Sequence, residues 1–257
     1  MNQDLTVPFQ KSRFYWAEFI LLLSFSLSAA AWAGPPFQTD DPEPVEYQHW
    51  EIFFAASYAR TPDDGAGTVP QFDINYGFAP EAHVNLVCPF AFNSPDLGGQ
   101  SYGYGDTELG VKYRFLKEAK DFPQAAIYPR VIFPTGDPSK GLGSGQAQFL
   151  LPLWLQKSWG PWTSFGGGGY WVNPGAGNKD WIFLGWEIQT DLSSLLTLGC
   201  EGVYHSASQL RDTDHLGFNG GGILNLDSIN HLMLSLGKDL FLGNTQLTGY
   251  VAYQLTF

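Results

Sequence analysis

The sequence predicts an all-β fold, a single antiparallel transmembrane β-barrel of about 12 strands. Apolar and polar residues alternate with period two through most of the chain after residue 45, which is typical of strands with two different faces. Aromatic residues make up 16% of the chain and charged residues only 15%, with 30 glycines to supply turns. The chain has no run of 18 or more apolar residues, so no membrane-spanning helix is indicated.

The first 33 residues differ from the rest. Lys11 and Arg13 form a basic region, residues 19–31 are apolar, and residues 31–33 fit a small-x-small cleavage site. The sequence therefore predicts a signal peptide over residues 1–33, cleaved after Ala33, with a retained membrane anchor as the alternative. Residues 34–45 are acidic and rich in proline, so we expect them to be irregular and to precede a barrel over residues 46–257.

Most predicted strands have about 10 to 13 residues, close to what a tilted strand needs to cross a bilayer. Their bounds are 46–60, 68–78, 82–92, 104–116, 124–134, 147–158, 162–172, 181–190, 195–205, 215–226, 231–241 and 246–257. Longer Gly/Pro/Asp-rich connections alternate with shorter ones, as in barrels with long outer loops and short periplasmic turns. Segments 117–123 and 242–245 break this alternation. The even strand number places both termini on the periplasmic side.

Charged residues fall on the opposite parity from apolar ones. Those predicted to line the lumen are Asp106, Glu108, Lys112, Arg114, Arg130, Glu187 and Glu201. A basic wall (Lys112, Arg114, Arg130) facing an acidic wall (Glu187, Glu201) would create a transverse field in a wet lumen. The alternative is that these groups pair with lumen neighbours and fill the interior. A soluble sandwich would show the same alternation, so periodicity alone does not decide between the two folds; the loop lengths and the outward aromatic residues near both strand ends favour the barrel.

Three further patterns carry weaker expectations about local structure. Pro129 and Pro152 lie inside strands, where a missing N–H predicts β-bulges. Residues 166–169 are all glycine, so their register has no side-chain signal. Cys88 and Cys200 share the parity of apolar neighbours and are predicted to be lipid-facing, inert thiols.

The net charge of −12 argues against a nucleic-acid partner. The acidic residues at 40, 41, 43 and 46 are interpreted as a solvated surface. Two cysteines and five scattered histidines show no metal-ligand spacing, so we expect no metal and no cofactor.

Two motifs resemble catalytic or binding sites only superficially. Residues 141–145 (GLGSG) lack the Lys-Ser/Thr ending and the following helix of a phosphate-binding loop. His205, Ser206 and Ser208 near Asp212 raise the alternative of a lipid-modifying barrel enzyme, but no nucleophile-elbow context accompanies them. We therefore expect a protein that is not an enzyme and has no catalytic residues.

The last strand places Val251, Tyr253, Leu255 and Phe257 on one face and ends on an aromatic residue. This pattern resembles the assembly signal of bacterial outer-membrane barrels, which implies outer-membrane lipid and the barrel-assembly machinery as partners.

Segments 104–115, 129–137, 141–145 and 157–162 together resemble the outer-membrane β-barrel family of the MetA pathway of phenol degradation. The resemblance implies a barrel for uptake of small aromatic or hydrophobic solutes. The sequence thus predicts a passive outer-membrane channel, with a structural or adhesive barrel of closed lumen as the alternative.

Overall fold

The structure is a computed structural model that describes residues 36–61, 64–96, 99–210, 213–239 and 246–257. The predicted signal peptide and the short connection at 242–245 lie outside the described residues. The strands are β1 (Trp50–Arg60), β2 (Asp64–Ala79), β3 (Ala82–Pro95), β4 (Ser101–Tyr104), β5 (Thr107–Leu116), β6 (Gln124–Ile127), β7 (Arg130–Phe133), β8 (Gln148–Trp159), β9 (Trp162–Val172), β10 (Trp181–Asp191), β11 (Leu196–His205), β12 (His215–Asn225), β13 (Asn230–Asp239) and β14 (Leu247–Thr256). A 3₁₀ turn covers Pro138–Lys140. Within these ranges, no helix is long and apolar enough to cross a membrane.

The strands form one closed antiparallel barrel. The first and last strands pair along their full length, from Glu51 opposite Thr256 to Arg60 opposite Leu247. Segments β4 and β5 both pair with β3, and β6 and β7 both lie between β5 and β8, so each couple is one interrupted barrel strand. The predicted closed barrel of 12 strands is therefore confirmed. We call the end where β1 begins and β14 ends the terminal end, and the opposite end the loop end.

The predicted bulges at the two prolines are wrong. Pro152 lies opposite Gly169 in an unshifted β8–β9 ladder. The register between β8 and its neighbour is the same before and after Pro129, since Ile127 pairs with Leu153 and Arg130 with Leu150. A missing N–H removes a ladder bond without requiring an inserted residue, so the strand is interrupted but keeps its register. Register shifts occur instead at Ala55/Ser57, Thr68/Gln71, Tyr76/Ala79 and Arg114/Leu116.

The two faces of the wall differ in polarity. In β10, Ile182, Leu184, Trp186 and Ile188 are exposed on the outside, while the residues between them are buried inside. The same outward set in β5 is Leu109, Val111, Tyr113 and Phe115. An apolar surface that continues around the whole barrel is what a lipid-facing surface requires. Cys88 and Cys200 are free thiols; Cys88 is partly buried and Cys200 is exposed.

The glycines of β9 make room for a large inward side chain. The Trp154 side chain is fully buried inside the barrel and meets Phe183 edge to face at 5.8 Å between ring centroids. A Cβ on Gly167 would lie 2.0 Å from the carbonyl oxygen of Leu153 and 3.1 Å from the Trp154 ring. Only glycine fits at this position, which explains the glycine run that carried no register signal in the sequence.

Candidate functional site in the barrel lumen

A segment that precedes the first strand lies inside the barrel. We call residues 36–49 the N-terminal segment. Near the terminal end, the backbone N–H of Val45 donates to His83 Nδ1 at 2.9 Å, and further along the lumen Ser235 Oγ donates to the carbonyl oxygen of Pro36 at 2.5 Å. Thr39 and Asp41 are fully buried. The interpretation of this acidic stretch as a solvated surface is therefore wrong, although Glu46 is exposed.

Lys112 on β5 binds the acidic part of the N-terminal segment. Its Nζ lies 2.9 Å from Asp40 Oδ1 and 3.8 Å from Asp41 Oδ1, and its side chain is only 5% exposed. The ring of Tyr128 lies 5.0 Å from the same ammonium group. A buried cation with two carboxylates and an aromatic face is a strong anchor, because removing it leaves buried charge uncompensated.

Arg114 provides a second anchor closer to the terminal end. Its Nη1 lies 3.3 Å from Glu43 Oε1 of the N-terminal segment, and it also donates to Gln124 at 2.9 Å. Its Nε lies 2.7 Å from Glu81 Oε2 in the turn after β2. The segment therefore meets the barrel wall through charges of opposite sign on β5.

The acidic wall binds the segment through its backbone. Glu187 and Glu201 are directly opposite each other on β10 and β11. Glu201 Oε1 accepts from the N–H of Gln38, and Oε2 accepts from the N–H of Thr39, both at 2.8 Å. Asn219 on β12 donates a further bond to Glu201 at 2.5 Å. The segment thus bridges the lumen between the predicted basic and acidic walls.

The other charged residues predicted for the lumen lie away from the segment. Arg130 pairs loosely with Glu108 at 3.7 Å and packs over the Tyr128 ring at 4.9 Å. Asp106 holds the connection between β7 and β8, because its carboxylate accepts from the N–H groups of Gly136 and Ser144 at 2.9 and 2.6 Å. Asp106 therefore acts on a loop rather than on the lumen path.

Carboxylates outnumber cations in the lumen among the described residues. Glu187 is fully buried, and neither of its carboxylate oxygens has a hydrogen-bond partner. Asp73 accepts from the side-chain amides of Asn75 and Asn85 at 2.9 and 2.6 Å. Glu51, on the inward parity of β1, was missed by the sequence reasoning; its alternation with Phe53 and Ala55 is the signal that identifies it.

A cavity of about 570 Å³ lies in the loop-end half of the lumen, and we call it the outer cavity. The N-terminal segment lines it through Pro36, Phe37 and Gln38, and the wall contributes Trp181, His205, His215, Asn219, Ser235, Asp239, Thr248 and Tyr250 among others. A volume of this size suits a small organic molecule.

Two connections beside the outer cavity are fixed by matching contacts. The Tyr170 hydroxyl donates to Asp180 at 2.8 Å, and the Tyr204 hydroxyl donates to Asp214 at 2.7 Å. In each case a backbone N–H, three residues after the tyrosine, also donates to the aspartate at 2.9 Å. These hydrogen bonds lower the pKa of both carboxyl groups. Asp180 and Asp214 therefore stay ionised at neutral pH, and the hydrogen bonds that fix the two connections persist.

The residues considered for hydrolysis make other contacts. His205 Nε2 lies 3.1 Å from Gln38 Oε1, and Ser206 Oγ accepts from the N–H of Ile182 at 2.9 Å. Asp212 lies outside the described residues. In the part of the chain that the structure describes, no three His, Cys, Asp or Glu side chains are grouped to hold a metal ion.

Comparison with known proteins identifies the fold. No protein-family model matches the chain, and no curated protein matches its sequence significantly. The crystal structure of the COG4313 outer membrane channel from Pseudomonas putida F1 is similar with a TM-score of 0.64 at 14% identity, over 89% of this chain and 98% of that chain. The KdgM porin gives 0.56 at 11% identity over 80% and 99%. The translocator domain of the autotransporter NalP from Neisseria meningitidis gives 0.54 at 10% over 81% and 88%.

The chain therefore has the fold of outer-membrane β-barrels. This fold serves channels, porins and a translocator domain alike, so the function has to be argued from the lumen.

Proposed function

We propose that the protein is an outer-membrane channel for small solutes, in which the N-terminal segment narrows the conducting path. The observation that carries this proposal is the outer cavity inside a closed, lipid-compatible wall, with the N-terminal segment as part of its lining. Two proteins of similar fold are described as a channel and a porin, which supports the assignment.

The solute class we propose is small and aromatic or hydrophobic. Trp181 and Trp171 stack at 4.6 Å between ring centroids beside the cavity, and Tyr250 lines it. Flat ring faces bind other rings through offset stacking. Membership of the MetA-pathway family of phenol degradation is a finer proposal, and it rests on segments 104–115, 129–137, 141–145 and 157–162.

Export and assembly complete the proposal. Cleavage after Ala33 leaves two residues before Pro36, so the mature chain begins close to the lumen segment. We expect the barrel-assembly machinery to recognise the outward face of the last strand, formed by Val251, Tyr253, Leu255 and Phe257. The outward apolar side chains of all strands would contact outer-membrane lipid. No covalent chemistry is required, so the protein is proposed not to be an enzyme.

The alternative is a structural or adhesive barrel with a closed lumen. The contacts of the N-terminal segment favour it, because Lys112, Arg114 and Glu201 all bind that segment. The two functions differ in one respect that an experiment can reach: in a channel, the segment limits conduction, whereas in a closed barrel there is no conduction to limit.

A disulfide between the segment and the wall separates them. A Cβ at position 185 would lie 3.2 Å from Cβ of Thr39, close to the spacing of about 3.5–4.5 Å in disulfides. We expect the Thr39→Cys/Gly185→Cys variant, in a Cys88→Ala/Cys200→Ala background, to show lower single-channel conductance when oxidised than after reduction.

Thr39→Cys alone is the matched control and should not respond to reductant. Absence of conductance in wild type and in the reduced variant, for protein shown to be folded, would favour the closed barrel. Equal conductance before and after reduction, with the disulfide verified by mass, would rule out a segment that moves in and out of the conducting path.

A further inference from the structure

The outer cavity combines aromatic faces with one acidic group. Trp181 on β10 lies between Trp171, stacked at an interplanar angle of 15°, and His205, at 5.3 Å between ring centroids. Tyr250 lies on the inward parity of β14 and lines the same space. The rings are therefore held by neighbours before any ligand arrives.

Asp239 supplies the charge. Among the described residues that line the cavity, it is the only one with a formal charge when histidine is neutral. It shares the inward parity of β13 with Ser235, its side chain is 14% exposed, and its Oδ2 lies 4.0 Å from Nδ1 of His215. The cavity therefore presents a carboxylate among rings, amides and hydroxyls.

The lumen next to the cavity adds charge of the same sign. Asn219, a lining residue, donates to Glu201, whose carboxylate also accepts from the N–H groups of Gln38 and Thr39. Two cations of the basic wall, Lys112 and Arg114, are already bound to Asp40 and Glu43 of the N-terminal segment, and the third, Arg130, pairs with Glu108. A solute in the outer cavity consequently meets a negative potential from Glu201 as well as from Asp239.

We infer that the outer cavity binds small organic cations, molecules that join an amine or quaternary ammonium group to an apolar ring. The ammonium group would be bound by the Asp239 carboxylate and by the ring of Tyr250, since aromatic faces attract cations, and Trp181 would contact the apolar ring of the solute. The ring would occupy the apolar part of the wall near Phe37.

The charge of the solute distinguishes organic cations from anionic and neutral ring compounds of the same size. An anionic ring compound of the same size would be repelled by Asp239 and would find no lining cation among the described residues. A neutral one would retain the ring contacts but gain nothing from the carboxylate. The inference deepens the proposed channel function and rests on it, because it names the class of solute.

The test measures binding, which does not require conduction. The probes are phenethylamine, phenethyl alcohol and phenylacetate, which share a ring and differ in charge; titration calorimetry uses the mature barrel folded in neutral detergent. We expect the amine to bind at least tenfold more tightly than the alcohol, and phenylacetate not to bind. Equal affinity for amine and alcohol, or no binding of the amine, would overturn the inference.

Variants locate the site. Asp239→Asn should weaken amine binding about tenfold while changing alcohol binding less than about twofold, and Trp181→Leu should weaken both. Asp137→Asn, at the loop end and outside the cavity, is the control and should bind like wild type. Amine binding that survives both cavity variants would place it elsewhere and overturn the inference. If the barrel binds the amine but never conducts, the proposed channel function is refuted and the proposed cation-binding site stands.

Discussion

Lys112→Met tests whether the buried ion pair keeps the N-terminal segment in the lumen. Lys112 is 5% exposed and faces Asp40 and the fully buried Asp41 at 2.9 and 3.8 Å. Breaking a buried pair by removing one partner costs about 3–5 kcal/mol. The carboxylates regain water if the segment leaves the lumen, so most of this cost should appear as a shift of the docking equilibrium.

At about 1.4 kcal/mol per tenfold change, the shift amounts to roughly 10²- to 10³-fold toward the undocked state. A thiol at position 39 reports it, because Thr39 is fully buried and its hydroxyl has no hydrogen-bond partner, so Thr39→Cys removes no bond. We expect the labelling rate of Cys-substituted position 39, in the background without native cysteines, to rise by about that factor in Lys112→Met.

Lys157→Met is the matched control. Lys157 pairs with Glu118 at 3.0 Å near the terminal end and has no contact with the N-terminal segment in the described structure. Labelling should therefore stay at the wild-type rate in this variant. Rates within twofold of each other in Lys112→Met and Lys157→Met, with both barrels folded, would refute the reasoning.

Three further outcomes are expected. Phe257→Ala should lower the amount of inserted barrel in membrane fractions while leaving the melting temperature of folded protein nearly unchanged, because the side chain is 54% exposed and the backbone of Phe257 makes the bonds to Trp50; equal membrane levels would count against this. Arg130→Gln should shift the reversal potential in a salt gradient toward cations, more strongly at low salt, since Arg130 pairs with Glu108 and not with the N-terminal segment; an unchanged potential would show that this charge does not face the path. Intact-mass analysis should find a chain beginning at Gly34 in the outer-membrane fraction, and retention of residues 1–33 would refute the predicted cleavage.

Much of the fold was predictable because a barrel wall repeats one simple rule. Every strand has a lipid face and a lumen face, so Ile182, Leu184 and Trp186 alternate with Phe183 and Gly185 in sequence and in space. The prolines were misread because the sequence does not distinguish a lost ladder bond from an inserted residue. In the glycine run of β9, the register depends on the neighbouring Trp154, which lies on another strand.

The site was less predictable, because its contacts are distant in sequence and its backbone is irregular. Lys112, Arg114, Glu187 and Glu201 were found by parity, but parity does not reveal what faces them. Their partners lie in a proline-rich stretch without any period, and composition alone made Asp40 and Asp41 resemble solvated charge. The available signal was electrostatic: the stretch is acidic, whereas β5 carries two cations on its lumen face.

The contacts of the N-terminal segment also impose an order in time. Gln38 bonds to Glu201, 163 residues later, and Pro36 to Ser235, 199 residues later. Contacts between residues so far apart in the chain form after the local hairpins. The pairing of β1 with β14 joins residues that are similarly distant, so docking of the N-terminal segment belongs with closure of the barrel rather than with formation of the hairpins.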